Sequence, residues 1–234
     1  VPEHVALIEK WQAWLERIDG ELNALRGKCN VFNRVGEIVR ANPAISQPGT
    51  FHDLIISGYG AYMCMGLRRL CEPQNKRADR KIVSVRALLE EFCEHPDVLS
   101  RQRIRDGRER VRGRPLDKRE LDGMTREWDR SRWMGEHHID LDSVATDISR
   151  LDAESKPVRT LVNKQLAHND WEGLERSLPF EQIHRLLARL EDIAASCHAY
   201  LYDHAYGGQE TPYTPSMAAD WEAVLKVSWI PPSS

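Results

Sequence analysis

Apolar residues recur along the first forty positions in strict steps of three and four: Ile8, Trp11, Leu15, Ile18, Leu22, Leu25, Cys29, Phe32, Gly36 and Val39. A stripe of that period is one face of an α-helix. It predicts a single helix over about 3–41, about 58 Å long at the usual rise per residue. Asn42-Pro43 ends it, because proline disfavours helical backbone in the residue before it. Gly20 and Gly27 lie off the stripe and weaken the helix by about 1 kcal/mol each relative to alanine. Residues 42–50 read as a linker. Thr50 with Asp53 resembles a capping box and opens a second helix that runs to about Cys71 and stops at Glu72-Pro73. Its small residues Ser57, Gly60, Ala61 and Cys64 would let another helix approach. After a polar loop, Ser84 caps a short helix through Leu88, Leu89 and Phe92, and His95-Pro96 breaks it.

Helical spacing resumes at Leu141, Val144, Ala145, Ile148 and Leu151. Ser155 and Pro157 open a separate segment from Val158 to about Asn169, since proline is tolerated in a first helical turn. Gly173 and Pro179 bracket a turn. A last strong stripe, Phe180, Ile183, Leu187, Leu190, Ala194, Cys197 and Leu201, leads to Gly207-Gly208. No β-type alternation of useful length occurs. The fold class expected is all-α, an antiparallel bundle of long helices over 1–206, with a charged excursion at about 101–135. Residues 207–234 read as a linker followed by a short docking helix, Met217–Trp229. The two narrow stripes serve either as the bundle's own core or as a seam between two copies, and spacing does not separate these.

Composition adds limits. The 234 residues are 41% hydrophobic, enough for a real core, and the net charge is −3, so the molecule as a whole is not a polycation. Charge is concentrated locally. Arg101, Arg103, Arg105, Arg108, Arg110, Arg112 and Arg114 stand with only Asp106 and Glu109 between them. Such a run holds RNA through its phosphates, or it is a solvated face or loop. Trp128 and Trp133 beside it either stack on bases or anchor the excursion to the core. Five cysteines with no CxxC favour reduced thiols and a cytoplasmic setting. The longest mostly apolar run, Leu54–Leu67, is too short to span a bilayer, and no secretory leader is evident. His137 and His138 splay apart, and His184 and His198 lie about 21 Å apart on one helix, so no metal site is expected. No P-loop, GxGxxG or GxSxG is present, and no cofactor is implied.

The stretch with most chemistry is Val162 to Asp170, which gathers a histidine, amides and a carboxylate near a helix end. On a regular helix His168 borders the buried face one turn from Lys164. A histidine there either shuttles protons or bonds a neighbouring carbonyl. The segment NKxxAHxD, read as Asn163, Lys164, Ala167, His168 and Asp170, resembles the signature of HEPN domains, in the branch related to the AbiU2 abortive-infection protein. The long first helix, the second helix ending in LxRLCEP (Leu67 to Pro73) and the motif helix before a long final helix fit that layout over roughly residues 5–205.

The resemblance implies a helical, commonly homodimeric protein. Many such proteins are metal-independent endoribonucleases of toxin–antitoxin and phage-defence systems, with an arginine four to six residues before the histidine. It assigns catalysis to His168, with Asn163 and Lys164 beside it, and implies RNA and an antitoxin or other protein as partners. The arginine is missing, however: its three possible positions hold Leu161, Val162 and Asn163. The nearest upstream arginine, Arg159, is half a turn out of phase, and Lys164 lacks the planar fork. An RNA-interacting nuclease, a non-catalytic dimeric helical module, and a helical protein with an unrelated small-molecule cleft are the readings left open.

Overall fold

The computed structural model describes residues 2–42, 49–74, 82–166 and 178–201, and among these it shows seven α-helices and no strand. They are α1 (Pro2–Ala41), α2 (Thr50–Leu70), α3 (Val85–Glu94), α4 (Arg101–Arg112), α5 (Lys118–Arg130), α6 (Leu141–Leu161) and α7 (Phe180–Leu201). A 3-10 turn over Pro96–Val98 follows α3, and a single antiparallel bridge joins Ser100 to His138.

The core forms where the stripes meet. Trp11, Leu15, Ile18, Leu22, Leu25 and Cys29 of α1 are buried in one cluster with Ile183, Leu187, Leu190 and Ala194 of α7. That part of the first stripe is therefore intramolecular core. Its far end is only half-buried at Phe32, Gly36 and Val39. Met63, Cys64 and Leu67 of α2, Leu88, Leu89 and Phe92 of α3, and Val144, Leu151 and Val158 of α6 complete the cluster. At this spacing the apolar face is removed from water at roughly 25 cal/mol per Å².

Several local readings need correction. The N-cap of α2 is Gly49, in extended backbone and with no side chain to bond the first turn, rather than Thr50 in a capping box. Of the small residues of α2, Cys64 is in the core and Gly60 faces Phe180 of α7, but Ser57 is exposed and the tightest approach is at Gly66, where an added Cβ would lie 2.6 Å from Leu25 Cδ2. Ser84 does cap α3: its Oγ accepts from the Ala87 amide at 2.9 Å. The excursion is a helical hairpin of α4 and α5. Gly113 closes α4 in left-handed backbone (φ 65°), and Asp117 with Glu120 makes a full capping box at the start of α5. Trp128 and Trp133 are buried, so they anchor this hairpin.

α6 runs straight through Ser155 and Pro157 instead of restarting there. Pro157 has no N–H for the helical ladder and crowds the preceding turn. The Asp152 carbonyl in that turn accepts from Arg159 Nη2 (3.1 Å) and Ser155 Oγ (3.3 Å). Buried Val158 on one side of the proline and Leu151 on the other hold the helix in line. Among the described residues no helix is long and apolar enough to cross a membrane.

Candidate functional site

The motif begins where α6 changes geometry. Val162 follows the last α-helical residue, and its amide bonds to the carbonyls of Val158 and Arg159. From there the backbone widens into one π turn, Val162–Leu166. Single π turns are uncommon and concentrate at functional sites. α2 packs against both α6 and this turn. Val162, at the position of the missing arginine, is 4% exposed and belongs to the core cluster. Asn163 and Lys164 are exposed. His168, with Ala167, Asn169 and Asp170, lies outside the described residues. The π turn also resets the angular phase, so the regular-helix placement of His168 against Lys164 does not carry through it.

Arg159 is engaged elsewhere. Its Nη1 lies 3.7 Å from Asp152 Oδ1, and the same carboxylate is gripped by Arg86 through Nε (3.3 Å) and Nη2 (3.1 Å).

The arginine run lies along α4 and just past it, and most of its members have found carboxylates, several on α5. Arg101 bonds Asp129 at 2.7 Å, Arg108 bonds Glu127 at 2.7 Å, and Arg105 bonds Glu109 within α4 at 3.0 Å. Arg112 and Arg114 converge on Glu120, with Arg114 Nη2 at 2.8 Å. The Arg114 contact, with the Asp117 amide, holds the Glu120 carboxyl down at about 2. Arg103 and Arg110 make no ion pair among the described residues, and Arg110 is exposed. The local positive excess is thus largely met across the hairpin, leaving exposed Arg110 and half-buried Arg103.

Two polar centres escaped the sequence. Asp147 of α6 is 4% exposed, yet it accepts from Arg132 Nε (2.6 Å), Arg132 Nη2 (2.8 Å) and Trp133 Nε1 (2.7 Å). Burial works against its charge, but these donors outweigh it and keep the carboxyl below the ordinary range. Near the start of α7, His184 Nε2 lies 2.7 Å from the Tyr59 hydroxyl, beside Phe180 and Phe32. Burial, then the nearby Arg26, push the His184 pKa down. Nothing in spacing marks either centre, because the partners come from separate elements: α6 and the segment after α5 in one, α2 and α7 in the other. All five cysteines are free. Burial lifts Cys64 to about 11 and Cys71 to about 12, so these thiols stay protonated. Among the described residues no group of three or more His, Cys, Asp or Glu is placed to hold a metal ion.

Comparison with known proteins agrees with this architecture. The model of the HEPN family described as AbiU2 matches residues 8–212. No curated protein and no solved structure matches the chain.

Proposed function

We propose, on the premise that the chain belongs to the AbiU2 family of HEPN domains and so is an abortive-infection-associated HEPN protein, that it is an RNA-interacting component of a phage-defence or toxin–antitoxin system. Exposed Asn163 and Lys164 meet the RNA, His168 of the same motif is the residue that would act on it, and two copies pair to build the groove. One observation carries this reading: α6 opens into a π turn at the motif and leaves Asn163 and Lys164 of that motif exposed. The exposed Arg110 of α4, with Arg103, adds phosphate contacts of the kind that need no base sequence.

In a cleaving complex, the His168 imidazole handles the proton of the 2′-hydroxyl or of the leaving oxygen. A cation is then needed beside the phosphoryl group, where charge develops in the transition state. Buried Val162 and Asp152-bound Arg159 do not offer one. That observation favours a second reading, in which the protein binds RNA without turnover.

One experiment separates the two. The purified chain is incubated with single-stranded RNA in chelator, beside His168→Ala and Lys164→Ala, and binding is followed across a salt series. RNA interaction predicts an affinity that falls steeply with salt and drops further in Lys164→Ala. Cleavage without divalent metal that is lost in His168→Ala supports the nuclease, and binding without cleavage supports the second reading. An absence of binding at low salt overturns both. Light scattering on the same sample tests for the dimer.

A further inference from the structure

A cleft of about 530 Å³ opens between the α4–α5 hairpin and the last two turns of α7. Its floor is apolar: Ile104, Met124 and Trp128 on the hairpin side, Ala195 and Ala199 on the α7 side. Arginines stand at its rim. Three are already spoken for, since Arg101 bonds Asp129, Arg108 bonds Glu127 and Arg132 grips Asp147 through two nitrogens. Arg130 is exposed and makes no ion pair among the described residues.

We propose that residues 217–229 of this same chain dock in this cleft, with Trp221, Leu225 and Trp229 on the apolar floor and Asp220 or Glu222 against Arg130. Three features of the molecule converge on this occupant. The first is the tether. Ala195, Ala199 and Tyr200 wall the cleft, and the described part of α7 reaches Leu201, so the chain that follows is tethered beside it. Residues 202–216 reach on the order of 50 Å when extended, more than enough to fold back.

The second is complementarity. Trp221, Leu225 and Trp229 recur at steps of four, which places them on one face of a helix, with Ala218 on the same side. Two carboxylates flank the first tryptophan. An amphipathic helix laid into an apolar groove anchors through side chains at this spacing. The third is the state of the rim. A polyanion entering the cleft would have to compete with ion pairs that are already made, whereas an apolar face with one or two carboxylates needs only Arg130. A tethered segment also binds at high effective concentration, so even a small groove holds it. The docked segment would complete the hairpin's inner wall and cover exposed Ala195 with half-buried Ile104 and Ala199, over a base of buried Met124 and Trp128.

Hydrogen exchange with mass spectrometry on the intact chain tests this. Docking predicts that amides within 217–229 exchange at least about tenfold more slowly than an unstructured segment. Ala199→Glu, which puts a charge on the floor, should return them to unstructured rates while α1 and α6 keep their protection. Should that variant fail to fold, Trp221→Ser reads the same contact from the other side: 217–229 and the facing amides of α4 and α5 should all speed up. Unstructured rates for 217–229 in the unaltered chain overturn the proposal. So does protection that neither substitution moves. Protection that fades on dilution assigns the segment to a second copy and also overturns it. Protection of α4 and α5 that appears only with added single-stranded RNA, with 217–229 still exchanging freely, gives the cleft to RNA instead.

Discussion

At the scale of single residues, the turn between α5 and α6 depends on an absent side chain. Gly135 gives its carbonyl to Trp128 Nε1 at 2.8 Å, and a Cβ at this position would come within 2.2 Å of the His138 carbonyl oxygen. That neighbour is backbone and cannot swing aside. Gly135→Ala should therefore destabilise the protein by about 2 kcal/mol or more through forced backbone movement. Gly107, inside α4 with open space around it, makes the control. Gly107→Ala should stabilise by about 0.5–1 kcal/mol, because alanine suits a helix interior better. Urea denaturation of both variants checks the pair, and equal effects would refute the steric account. Nothing in the order of residues distinguishes these two glycines. The difference arises from what the folded chain brings within reach.

At the scale of elements, α6 shows where local rules give way to packing. Proline-based reasoning splits the stretch at Ser155 and Pro157, yet the helix continues to Leu161. Val158 and Val162 are buried beyond the proline, and the Arg159 and Ser155 side chains bond the Asp152 carbonyl in the turn before it. The backbone defect remains a cost that the core offsets. Pro157→Ala should restore the missing donor and raise stability by about 1–3 kcal/mol, read as a higher thermal midpoint. A lower midpoint would mean that proline's stiffening of the unfolded chain outweighs the lost bond. The boundaries of α1 and α3 were legible, because their stripes and the Ser84 cap are written in neighbouring residues. The hairpin was legible only as charge. The residues that neutralise Arg101 and Arg108 stand 28 and 19 positions away, beyond any local window. Of the candidate site, the residue types of the motif could be read directly. The π turn that exposes Asn163 and Lys164 could not, since no local spacing signals it.

At the scale of the whole molecule, the hairpin and the bundle meet at one polar post in an apolar wall. Trp133 is fully buried, lies edge-on to Phe92 and stacks on Tyr200 with ring centroids 5.6 Å apart. Its indole N–H ends on Asp147, as do two nitrogens of Arg132, so one carboxylate of α6 fixes the segment that leads out of the hairpin. Tyr200 of α7 closes the ring, with its hydroxyl accepting the Trp133 amide at 3.2 Å and lying 2.5 Å from Ser131 Oγ. Replacing the carboxylate leaves an arginine and an indole N–H without an acceptor. Asp147→Ala should cost about 3–5 kcal/mol, as breaking a buried ion pair does. The loss should appear first as faster hydrogen exchange in α4 and α5, with the α1–α7 core affected last. The pH dependence has a definite sign. Asp147 titrates below its ordinary 3.8 in the folded chain, so its contribution is complete above that value and disappears as pH falls through the lower folded one. Acid unfolding followed by near-ultraviolet circular dichroism should thus show a shallower slope below pH 4 in Asp147→Asn than in the unaltered chain. A parallel slope would mean that the carboxylate's charge does not hold the hairpin to the bundle.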